Sequence, residues 1–167
     1  MKIITVSGTH SGVGKTAFIE AMLKHLKGWS ALKVTLAHQG SSCPIQRECG
    51  ACANLNSNFS IISDEKILAQ KRKDTSRFKK AGASKVLWLK SHPQGLRQGL
   101  KEAISKFNKT GGLIIEGTSV LKYLKPDLAI LLKREGLPWK PSAQKAIKKI
   151  DLVLDSGIIK NTPSLCS

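Results

Sequence analysis

The stretch KIITVSGTHSGVGKTAFIEAMLKHLKG, residues Lys2–Gly28, decides how the chain is read. Lys2–Val6 is a short run with β-branched residues, which favours a strand. Gly8, Gly12 and Gly14 make the next segment a turn that allows close backbone approach. From Lys15 to Lys27 the apolar residues Phe18, Ile19, Met22, Leu23 and Leu26 fall at helical spacing, and Gly28 supplies a stop. Strand, glycine-rich turn and helix start follow in that order. A helix N-terminus entered through such a turn offers free N–H groups and a positive dipole end to an anion.

The phosphate-loop pattern is G-x-x-x-x-G-K-[ST]. Gly14-Lys15-Thr16 completes it, but Thr9 stands where the first glycine belongs and Gly8 comes one residue early. In this reading Gly8, Thr9, His10, Ser11, Gly12, Val13, Gly14, Lys15, Thr16 and Ala17 cradle a nucleotide. Lys15 reaches the terminal phosphates and the Thr16 hydroxyl binds Mg²⁺. GTHSGVGKT resembles the G-T-x-[ST]-x-V-G-K-T loop of dethiobiotin synthetases and cobyrinic acid amide synthases. That resemblance explains the displaced glycine and points toward cofactor metabolism.

Outward from the loop, apolar strands alternate with helices. Strands are expected at Ala31–Ala37, Val86–Leu89, Leu113–Glu116, Leu128–Leu132 and Leu152–Leu154. A helix capped by Asp64 is expected to run to about Ala81. Another carries Leu96, Leu100, Ala103, Ile104 and Phe107, and a short one spans Ser142–Lys149 with Ser142 as its cap. The stretch 39–63 reads as irregular, and no pattern is legible from Asp155 to the end. The alternation implies an α/β, three-layer P-loop NTPase fold, a mostly parallel sheet flanked by helices. One nucleotide-binding domain over 1–155 is expected, with a Cys-containing insertion at about 39–63 and a tail at 156–167.

A phosphate loop needs carboxylates at neighbouring strand ends. LIIEGTS, Leu113–Ser119, supplies Glu116 after an apolar run and before Gly117. RKDTSRFKKAGASKVLWL, Arg72–Leu89, supplies Asp74 among cations, where ion pairing is its plainer role. This second stretch resembles the G-K-D-S-x-R-x-x-x-A-G-A pattern of molybdopterin-guanine dinucleotide biosynthesis protein B (MobB), a family of small GTP-binding P-loop proteins. Lys73, Asp74, Arg77, Ala81, Gly82 and Ala83 match it, and Glu116-Gly117 resembles the family's V-E-G element. The resemblance implies Mg²⁺-associated, catalytic roles for Asp74 and Glu116 beside Lys15, and a cytoplasmic homodimer serving molybdopterin cofactor assembly with a partner protein. Hydrolysis of GTP is expected to be slow, because no arginine finger or catalytic glutamine is identifiable. No N-K-x-D element selects guanine, so ATP remains open. In place of the family's histidine-rich segment after the second strand, only Lys33 and His38 persist.

His38, Cys43, Cys49 and Cys52 put four soft ligands in one short segment. Thiolates with one imidazole suit tetrahedral Zn²⁺. Cys166 as a fourth thiolate would instead suit an iron–sulfur cluster. A disulfide or reduced thiols are the plainer alternatives.

The composition excludes several classes. With 167 residues, 41% of them hydrophobic and 23% charged, the chain is long enough for one sizeable core. No apolar run approaches a membrane span, and MKIITVSG is too short and too quickly polar for a signal peptide, so a cytoplasmic location is expected. The formal net charge is +17. Such a field attracts polyanions. Aromatic residues are only 5%, and no run alternates basic and aromatic residues, which disfavours a nucleic-acid stacking platform. Three readings therefore compete with the GTP-binding one. They are an ATP-dependent synthetase, a nucleotide-switched metal-binding adaptor, and a nucleic-acid module supported by charge alone.

Overall fold

A computed structural model describes residues 1–37, 55, 57–71, 73–108 and 110–157. It is a three-layer α/β structure built on a seven-stranded sheet. The strands are β1 (Lys2–Gly8), β2 (Trp29–Leu36), β3 (Phe59–Ile62), β4 (Val86–Ser91), β5 (Gly112–Glu116), β6 (Leu128–Lys133) and β7 (Leu152–Asp155). Their order in the sheet is β3-β4-β2-β5-β1-β6-β7. Every pairing is parallel except that of β3 with β4. No helix among the described residues is long and apolar enough to cross a membrane.

The central strands are apolar on both faces because both faces are covered. Along β5, Ile114 joins a core with Ile19 and Leu23 of α1 (Lys15–His25) and Phe78 of α3 (Asp74–Lys80). Its neighbours Leu113 and Ile115 point the other way, into a core with Leu96, Leu100 and Ala103 of α4 (Leu96–Ser105) and Ala146 of α5 (Pro141–Ala146). The period of two along a strand thus sorts one apolar run into two separate cores. Helix α1 buries Ile19 and Leu23, four residues apart on one face.

Three expectations are corrected. The stretch 39–63 contains β3, which pairs antiparallel with β4 from Phe59↔Ser91 to Ile62↔Trp88. Only four residues long and edged by Ser and Asn, it is too short to stand out, yet Phe59 and Ile61 pack on the core. The single helix from Asp64 to Ala81 is two helices, α2 (Glu65–Leu68) and α3. Asp64 does cap α2, accepting from the N–H groups of Lys66 and Ile67. Between Leu68 and Phe78 no side chain larger than alanine is apolar, so nothing binds a continuous helix to the sheet. The Thr75 hydroxyl instead donates to the Leu68 carbonyl at 2.8 Å and folds the break shut. Finally, Ser142 is not a cap. Lys140 holds that position in extended conformation before Pro141, as the pre-proline restriction demands, and a short 3-10 turn (Ile147–Lys149) follows α5. At the end of the fold, β7 runs to Asp155, one residue past the expected Leu152–Leu154.

Candidate functional site

The loop between β1 and α1 lies at the carboxyl end of the sheet, where open α/β sheets carry their ligands. Gly14 precedes α1 in a left-handed conformation, φ 100°, which a side chain would strain. No side chain caps this helix. Lys15, Thr16 and Ala17 open it, so their N–H groups have no intrahelical acceptor.

The displaced glycine has a steric reason. A Cβ on Gly8 would meet Val13 Cγ1 at 2.5 Å, far inside contact distance, and the stem of Lys15 at 3.1 Å. The close approach in this loop therefore falls at Gly8. Thr9 occupies the consensus glycine position and is fully buried. Its N–H donates to the Leu132 carbonyl at 2.9 Å, and its carbonyl accepts from the Lys140 N–H at 2.8 Å. Thr9 is clamped to β6 and to the start of α5, and its hydroxyl is bonded to His10 Nδ1 at 3.0 Å.

Both acidic residues converge on the loop. The Thr16 hydroxyl donates to Asp74 Oδ1 at 2.8 Å. Asp74 arrives there because the α2–α3 break makes it the first residue of α3. Lys15 Nζ lies 3.7 Å from Glu116 Oε1. Glu116 ends β5, pairs in register with Val6 of β1 and Lys33 of β2, and shares the α1 face with both. It is 6% exposed, and its Oε2 has no hydrogen-bond partner among the described residues. A buried carboxylate oxygen without a donor carries a desolvation cost that a bound cation or water removes.

Two lysines that were not expected as site residues complete the cluster. Lys33 Nζ donates to Asp74 Oδ2. Burial pushes its pKa below the usual lysine value, Glu116 opposes that shift, and Lys15 and Lys73 add to it. Lys140 is shifted the same way, first by burial and then by Lys15, with Glu116 opposing. Four ammonium groups thus act around two carboxylates, an excess of positive charge next to uncapped N–H groups. Lys33 was legible only as a polar residue inside a strand. Lys140 had one signal, its place before a proline at the return of the chain from β6.

A hard cation suits the oxygen donors present: the Thr16 hydroxyl, the Asp74 carboxylate and the orphaned Glu116 Oε2. Mg²⁺ matches that donor set. His38, Cys43, Cys49 and Cys52, expected to hold Zn²⁺ or an iron–sulfur cluster, lie outside the described residues, as does Cys166. Among the described residues no group of three or more His, Cys, Asp or Glu is placed to bind a metal. Asp74 and Glu116 could therefore hold a cation only together with hydroxyl, water or phosphate oxygens.

None of the protein-family models, curated proteins or solved structures compared with this chain matches it.

Proposed function

We propose that this chain binds a Mg²⁺–nucleoside triphosphate, GTP in first place, on the Gly8–Ala17 loop and hydrolyses it slowly in the service of molybdopterin cofactor assembly. The observation that carries the reading is the convergence of Lys15, Thr16, Asp74 and Glu116 on one uncapped helix start. The guanine preference and the pathway rest on the resemblance of the Lys73–Ala83 and Glu116-Gly117 segments to MobB.

The loop N–H groups and the α1 dipole hold the phosphates. Lys15, now beside Glu116, turns its ammonium to the terminal phosphates. Lys140 adds a second cation beside it. Mg²⁺, when bound, neutralises the developing charge on the phosphate oxygens. Thr16 and Asp74 would hold that ion, and Glu116 would order water on its buried side. In the hydrolytic step a water oxygen bonds to the γ-phosphorus as the bond to the β–γ bridging oxygen breaks. The products are a nucleoside diphosphate and inorganic phosphate. No arginine finger is identifiable among the described residues, which suits slow turnover.

A second reading is a synthetase that uses ATP to activate a carboxylate. It is favoured by a cavity of about 390 Å³ next to the loop, lined in part by Thr118. Equilibrium binding of GTP and ATP, with and without Mg²⁺, tests both, with Lys15→Ala as the control. Mg²⁺-dependent GTP binding lost in the variant is expected. An ATP preference moves the synthetase reading first, and no binding of either nucleotide by the wild type overturns both.

A further inference from the structure

The cavity next to the loop has a chemistry of its own. It lies on the α4–α5 side of the sheet, across β5 from Lys15. Its volume of about 390 Å³ falls within the range of small-molecule sites, roughly 300–1,000 Å³. Leu36, Leu96, Leu121 and Ala146 give it apolar walls. No carboxylate lines it among the described residues, whereas Lys122, Lys145 and Lys149 do.

These lysines are held differently. Lys149 Nζ donates to the Leu121 carbonyl at 2.7 Å, which fixes its charge at the wall. Lys122 stands over the Tyr123 ring, 5.2 Å from its centroid. Lys145 is exposed and makes no ion pair among the described residues. A neighbouring cavity of about 540 Å³ shares Lys122 and Lys149 and adds Lys125 and Lys148. Its one acid, Asp151, is engaged with the Ala129 N–H at 2.7 Å. The lining residues of the two cavities carry five lysines against one carboxylate, so the surface here is net positive, and it borders an apolar hollow.

We infer that this cavity binds a small anionic molecule with an apolar body, the anion meeting Lys122, Lys145 and Lys149 and the body resting on Leu36, Leu96, Leu121 and Ala146. The Thr118 hydroxyl accepts the Gly8 N–H at 3.4 Å, so one residue of the cavity wall touches the start of the Gly8–Ala17 loop. The binding site does not rest on the proposed function.

The test uses three probes of one shape and different charge: 2-naphthoate, 2-naphthol and 2-naphthylmethylammonium. Each is titrated against the full chain without nucleotide, with methyl NMR shifts locating the site. The carboxylate is expected to bind tightest, moving Leu121 and Ala146. Lys145→Glu is expected to weaken it about tenfold, from reversal of one charge near a screened surface. Lys101→Glu, on exposed α4 surface away from the cavity, is expected to leave it unchanged. Equal affinity for the three probes, equal loss in both variants, or shifts centred on Gly8–Thr16 would each overturn the site. Probe binding at the cavity with no nucleotide binding by the wild type would overturn the proposed function and leave this site standing.

Discussion

Replacing Gly8 by alanine is the sharpest probe of the loop. The added Cβ would sit 2.5 Å from Val13 Cγ1, about an ångström inside ordinary contact. Strand β1 cannot retreat easily, because Gly8 pairs in register with Leu132 and its N–H reaches Thr118. Val13 is itself buried, at 2% exposure, against the α1-side core. The strain therefore opens the loop or loosens that core, at the overpacking cost of about 1–3 kcal/mol. Expressed wholly in binding, that is a loss of roughly 5- to 150-fold in nucleotide affinity. Expressed in folding, it is the same free energy in urea unfolding. Both are measured on one sample, by calorimetric titration with Mg²⁺–GTP and by denaturant titration. Thr9→Gly serves as the comparison, since it restores the consensus glycine without adding bulk. If Gly8→Ala matches the wild type in both assays, the close approach assigned to Gly8 is wrong.

Three further outcomes are expected. Phe78→Ala empties a fully buried site between α3 and the sheet, and should cost about 3–5 kcal/mol in urea unfolding; a loss below 1 kcal/mol, on the order of a surface change, would contradict the packing. Asp74→Asn keeps the shape but removes the charge shared by Thr16 and Lys33, so Mg²⁺ should no longer strengthen nucleotide binding, read by titration with and without the ion. The pH dependence follows from Lys33 and Lys140, both pushed by burial below the usual lysine value of 10.5. Between the folded and unfolded pKa values the unfolded chain binds more protons, so stability rises with pH across that window and levels off above it. A Lys33→Met/Lys140→Met variant should flatten the rise seen in alkaline urea titrations, and an unchanged slope would exclude these two groups as its source.

The lines of the fold legible in the sequence are those where local and global preferences agree. KIITV, VLWL, LIIE and LAILL are apolar on both faces, and only a covered parallel sheet accepts such runs. The turn GTHSGVGKT announces itself by glycines and by Lys15-Thr16 before a helical period. Glu116 is legible because an acid closing an apolar strand has no core role. Asp74, by contrast, is one charge among many in Arg72–Lys80. Its place depends on a helix break that local propensity does not mark.

The sequence by itself determined the layer architecture, the loop and the end of β5, because periodicity and glycine placement act over a few residues. Tertiary structure alone decided the rest. It set the strand order that brings Lys33 and Glu116 into register, the antiparallel β3 at the edge, and the α2–α3 break that delivers Asp74 to Thr16. It also turned Thr9 into a clamp and brought Lys140 back to it. The hollow beside Thr118 forms only where segments distant in sequence close on one another. These features depend on which distant surfaces bury each other, and that free energy is not carried by any short window of the chain.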